Sequence, residues 1–178
     1  MNRIDHPLRA IVVENADPEG LGRVRFRIPG LFDPSSPWAL PMGGGSLDRG
    51  LFMVPPVGAE VIVMFVGGNP EDPVYTGGHW GVPDGTNEAP EEAGGSPSVT
   101  VLSTPGFRIE LDDTDGGRKL RIISVDTGDV IHLDSARREI MIKATTRLSL
   151  ISEAAVDIDG IAITIGGRPV RLGIEDPI

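Results

Sequence analysis

The 178-residue chain contains no cysteine, which excludes disulfides and every metal site built on thiolate ligands. Aromatic residues are few: five Phe, two Trp and one Tyr make up 4% of the chain. No run of 18 apolar residues occurs, and Met1–Arg9 lacks the apolar core of a secretory leader. A soluble chain without a Sec signal is therefore expected, and the lack of cysteine fits synthesis in the cytoplasm. Basic residues are also scarce, 16 against 26 acidic ones, for a net charge of −10. Nucleic-acid-binding domains carry a basic footprint, so no nucleic acid is expected as a partner.

Glycine and proline, by contrast, are abundant. The 24 Gly and 16 Pro are 40 of 178 residues, against an average usage of about 12%. Such frequent punctuation disfavours long helices and suits many short strands joined by turns.

Three segments differ in texture. Residues 1–80 alternate short apolar runs with Gly/Pro loops and predict strands near Ala10–Asn15, Gly22–Ile28, Trp38–Pro41, Gly50–Met53, Glu60–Phe65 and Val74–Gly78. Arg23 to Ile28 alternates strictly, with Val24, Phe26 and Ile28 on one face and Arg23, Arg25 and Arg27 on the other. Val61 to Phe65 is an unbroken apolar run, which predicts a strand buried on both faces. Asp17-Pro-Glu-Gly20 and Gly67-Gly-Asn-Pro70 are turn signals. Five or six strands in so short a segment predict a small barrel, OB-like before other candidates. Residues 81–98 hold four acids and no base, and read as a linker.

Residues 99–178 show apolar pairs at period-2 spacing: Ile109/Leu111, Leu120/Ile122, Ile131/Leu133, Ile140/Ile142, Leu148/Leu150, Val156/Ile158 and Ile163/Ile165. First members are separated by 11, 11, 9, 8, 8 and 7 residues. Such recurrence predicts a β-solenoid or stacked β-meander that tapers toward its end. Each strand offers about two apolar side chains on one face, too little to enclose a core alone. Three identical chains around one axis would close a prism and remove the sheet edges, so a homotrimer is expected.

Taken in order, Asn15-Ala-Asp-Pro-Glu-Gly-Leu-Gly-Arg-Val-Arg-Phe-Arg-Ile28, Trp38-Ala39, Pro55-Pro-Val-Gly-Ala-Glu-Val-Ile-Val-Met-Phe65 and Gly68-Asn-Pro-Glu-Asp-Pro-Val-Tyr-Thr-Gly77 resemble the phage baseplate spike family. That family includes the central spikes of contractile phage tails and the valine-glycine repeat protein G of type VI secretion. Thr104-Pro-Gly-Phe-Arg-Ile-Glu-Leu-Asp-Asp113 is similar to the family's lead-in to its trimeric β-helix. The resemblance implies an all-β chain: an OB-fold collar over residues 1–80, a linker over 81–98 and an intertwined trimeric β-helical needle over 99–178. It implies a collar docked on a trimeric hub of the baseplate, and a needle driven through the target cell envelope when the sheath contracts. The setting implied is a virion tail or a related extracellular injection particle.

Two departures stand out. Some relatives insert a lysozyme domain between collar and needle, for which residues 81–98 leave no room. Some short spikes end in a His-x-His metal site, whereas His6, His79 and His132 are widely separated. A separate tip protein of the Pro-Ala-Ala-Arg type is expected instead, bound through Leu172, Ile174 and Ile178.

Other motifs favour plain structural readings. Asp112-Asp-Thr-Asp-Gly116 puts Leu111 and Ile122 where an EF-hand needs its first and last ligands, so it reads as a β-turn. Gly43-Gly-Gly-Ser46 lacks the Lys of a phosphate-binding loop and reads as a flexible barrel loop that orders only against a neighbouring protein. The many carboxylates read as a solvated face, and no G-x-S-x-G occurs. No catalytic, cofactor or metal residues are therefore assigned, and no enzyme activity is expected. The resemblance places Trp38 in the barrel core. Arg23, Arg25, Arg27 and Trp80 are candidate contacts to the hub or a neighbouring subunit. Two rival readings are an OB-fold binder of single-stranded nucleic acid and a trimeric polysaccharide-degrading tailspike. Residues 1–80 carry 6 bases against 9 acids, which disfavours the first. The short repeats leave no cleft for the second.

Overall fold

The computed structural model describes residues 3–78, 80–82 and 85–170. These are all-β apart from short 3-10 turns and divide into two units, Met1–Ala89 and Pro90–Ile178. The division falls within the segment read as a linker.

In the first unit, strands β1 (Leu8–Glu14), β2 (Arg25–Arg27), β3 (Leu40–Pro41), β6 (Glu60–Phe65) and β7 (Pro73–Thr76) pair in the order β2-β1-β6-β7-β3. A bridge between Val24 and Ala39 joins the two ends and closes an OB-like barrel. Closure lets alternate side chains fill one interior. Ala10 and Val12, Val24 and Phe26, and Val61, Val63 and Phe65 are all buried there. Although aromatics are scarce, three of the five phenylalanines meet in this core. Phe32 meets Phe26 edge-on at 5.4 Å and stacks on Phe65 at 5.6 Å.

Strand β6 corrects the expectation of burial on both faces. Val61, Val63 and Phe65 are buried, while Ile62 and Met64 are only half-buried. A barrel wall has a single interior, so an unbroken apolar run still splits by parity. The segment Gly43–Ser46 differs from the expected flexible loop as well. It enters a two-stranded hairpin, β4 (Gly45–Ser46) with β5 (Arg49–Gly50), turned by Leu47 and Asp48 at φ of 48° and 62°. Two consecutive positive-φ residues are the geometry that tight hairpins require. The strand expected over Gly50–Met53 therefore stops at Gly50.

Two polar groups are built into the barrel. Ser36 is buried, accepts from Phe26 N at 3.0 Å and donates to Pro37 O at 2.7 Å. The Tyr75 hydroxyl donates to Gly22 O at 2.7 Å, and burial pushes its phenol pKa up, so it stays a proton donor.

In the second unit, β8 (Val99–Ser103), β9 (Phe107–Asp112), β10 (Lys119–Ser124), β11 (Val130–Asp134) and β12 (Glu139–Lys143) form an antiparallel meander in sequence order. A short hairpin, β13 (Thr164–Ile165) with β14 (Arg168–Pro169), follows. Residues 144–163 contain no strand, so Leu148, Leu150, Val156 and Ile158 lie outside regular structure.

Replacing Tyr75 with Phe removes the hydroxyl and leaves the Gly22 carbonyl without its buried donor. We expect a loss of about 1–3 kcal/mol, read as a lower denaturation midpoint for the first unit.

Candidate interaction surfaces

Strand pairing in the meander brings the sequence-predicted needle residues together. Leu102, Ile109, Ile122, Ile131 and Ile142 form one cross-strand row, and Leu111, Leu120, Leu133 and Ile140 form the next. Alternation puts both rows on one face of the sheet. Among the described residues of the second unit, nothing buries this face. Ile122 and Ile131 are each 41% exposed, although both lie on interior strands, and Ile140 is 73% exposed. Further along, Leu148, Leu150, Val156, Ile158 and Ile165 are exposed too, and Ile163 is half-buried. The single chain thus brings eight of the fourteen expected needle residues into one register, without burying them as a core.

The opposite face carries a set of paired charges. Glu110 is buried, Arg108 Nε lies 2.6 Å from its Oε1, and Arg121 on β10 pairs with its other oxygen. A 3-10 turn at Glu91–Ala93 brings Glu92 Oε1 to 2.5 Å from Arg108 Nη1. Beyond β12, Asp129 Oδ1 accepts from Thr145 N and Oδ2 from the Thr127 hydroxyl. These hydrogen bonds, the Thr127 one foremost, hold the Asp129 pKa below its ordinary value.

The arginine strand of the first unit differs from expectation. Trp38 is not in the core. Its neighbour Ala39 takes the interior position opposite Val24, so the indole faces outward. There it lies beneath both Arg23 and Arg25, with guanidinium carbons 5.6 and 5.2 Å from the ring centre. Arg23 Nη2 also reaches Asp17 Oδ1 at 2.7 Å and Glu19 Oε1 at 3.0 Å. Two of the three arginines are therefore engaged within the unit. Arg27 is exposed and makes no ion pair among the described residues. Trp80 is exposed.

Near the hairpin, a cleft of about 760 Å³ is lined by Leu21, Gly22, Met42, Phe52, Val54 and neighbouring glycines. Leu47, Leu51, Phe52 and Met53 are exposed around it. The sequence carried little signal for this surface, because residues 51–54 do not alternate.

Among the described residues, no three metal-ligating side chains gather. The Asp112–Gly116 segment is a turn in which Asp112 Oδ1 accepts from Thr114 N. His79, Leu172, Ile174 and Ile178 lie outside the described residues.

Asp17 gives the first unit a pH dependence. Arg23 foremost, then the backbone N–H groups of Glu19, Arg23 and Leu21, hold its carboxyl well below the usual range, against the opposing effect of burial. A depressed native pKa stabilises the fold above the unfolded value, and this contribution fades as pH falls below about 4. Asp17→Asn should therefore lower the thermal midpoint at neutral pH and flatten its fall under acid, as followed by circular dichroism.

Residues 8–80 match the family model of the Type VI secretion system/phage-baseplate injector OB domain.

Proposed function

We propose, from the match of residues 8–80 to that injector OB model, that this chain is the central spike subunit of a contractile injection machine. Its first unit is the collar, docked among other baseplate proteins on a trimeric hub. Its second unit is the shaft of a homotrimer that punctures the target cell envelope, with a Pro-Ala-Ala-Arg-type protein at its tip. Its work is mechanical, not enzymatic.

The observation that carries this reading is the uncovered apolar face of β8–β12. Burying an Ile or Leu side chain stabilises by about 1.5–3 kcal/mol. Two rows of such residues left half in water are a strong drive toward association. Three copies turned inward would share one core and leave the charged face to solvent. The collar's exposed hairpin, with Leu47, Phe52 and Met53, is the better candidate for the hub contact, because Arg23 and Arg25 are already engaged.

Light scattering on the purified chain should give about 57 kDa, three times 18.9 kDa, in a form that resists SDS at room temperature. A charge placed at Ile122 or Ile131 separates association from folding. Both side chains are 41% exposed in the single chain, so Ile122→Asp should leave a folded protein that runs as a monomer. A wild-type monomer that binds oligonucleotides with a steep salt dependence would refute the spike reading.

A further inference from the structure

We propose that the ion-pair relay Glu92–Arg108–Glu110–Arg121 is a mechanical latch. It carries tension on the chain past the edge strand β8 and into the interior strands β9 and β10.

The need for a latch follows from topology. Strand β8 pairs only with β9, and an edge strand pulled from one end separates one rung at a time. The segment 90–98 that leads into it is held mostly to itself. Ala93 N donates to Pro90 O, Gly94 N to Glu91 O, Ser96 N to Ala93 O and Val99 N to Ser96 O. Apart from that bond to the first residue of β8, its backbone is tied toward the sheet by Ser98 O, which accepts from Asp113 N, just past β9, at 2.8 Å. Tension arriving from upstream would therefore fall on the first rungs of β8.

The side chains provide another route. Glu92, seven residues before Val99 in the sequence, reaches across to Arg108 on β9, with Oε1 to Nη1 at 2.5 Å. The same guanidinium binds Glu110 Oε1 through Nε at 2.6 Å, and the second Glu110 oxygen pairs with Arg121 on β10. The relay thus runs from the segment 90–98 to the middle of the sheet without passing through β8. It holds two acids and two bases, so it adds no net charge.

Surface ion pairs hold little load because water and salt compete for both partners. This relay differs. The Glu110 side chain is 3% exposed and the Arg108 side chain 19%. Charged hydrogen bonds are stronger where water is excluded. Glu92 and Arg121 at its ends are 32% and 45% exposed, so the shielded Arg108–Glu110 pair is what carries load between them. The latch operates within one chain and does not rest on the trimer reading.

The absence of native cysteine allows the test. A single Asp115→Cys in the β9–β10 turn, together with the N-terminus, offers two unique handles for single-molecule pulling on the full chain. With the latch intact, residues 90–103 should come free in the same event as β9. Glu92→Gln should add a separate, lower-force step in which residues 90–103 release first. Glu91→Gln serves as the control, because Glu91 makes no ion pair among the described residues, and its traces should match the wild type. Glu92→Gln traces identical to wild type would overturn the latch, as would an equal change in Glu91→Gln.

Discussion

A sheet with one apolar face must find something to lay against that face, and the two units of this chain meet the demand differently. The first unit curls its five strands until Val24 bridges Ala39, so the sheet covers itself. Val61, Val63, Phe26 and Phe65 then share one interior. The second unit stays open. Its strands are joined by tight turns and follow one another in order, which produces a flat-sided meander with Ile and Leu rows uncovered. The proposed trimer depends on this difference, because in the second unit a whole sheet face stays uncovered among the described residues.

Backbone hydrogen bonds lead to the same place. Each extended residue carries a donor and an acceptor that must be satisfied. In β9 to β11, ladders on both sides do so. After Lys143 the chain runs through residues 144–163 without a strand, although its apolar pairs continue at spacings of 7 or 8 residues. Thr145 is tied back to Asp129 and Thr127, but residues 146–162 join no ladder. Extended segments of this pattern gain both their hydrogen bonds and their burial when another chain supplies the neighbouring strand.

Much of this was legible in the sequence, for reasons that differ between elements. Period-2 spacing in Ile109/Leu111 through Ile140/Ile142 fixed which side chains share a face, because alternation is a property of the strand itself. Glu60–Phe65 was likewise readable to the residue. The core position that the resemblance implied for Trp38 is taken by its neighbour. Ala39 sits opposite Val24, and that pairing is tertiary information. The hairpin at Gly45–Gly50 carries no clear sequence signal, because Leu47 is an unusual residue for positive φ and no Gly follows Asp48 in the turn. The relay through Glu110 could not be seen at all, since alternating charges look the same whether solvated or buried.

Those charges do something the apolar rows cannot. Ile and Leu rows look alike after a two-residue slip, so hydrophobic matching alone leaves the β9–β10 register weakly defined. In the observed register Glu110 faces Arg121, Ile109 faces Ile122 and Asp112 faces Lys119. A slip in one direction would oppose Glu110 to Ile123 and take it away from Arg121, leaving Arg108 on its own strand as its cation. A slip in the other would oppose Arg108 to Arg121, two like charges on adjacent strands. Either loses a cross-strand charge pair that the observed register makes. The polar face therefore selects one register, and with it one continuous apolar face. A surface meant to meet copies of itself requires that continuity, because a register error in one chain would be carried into every chain packed against it.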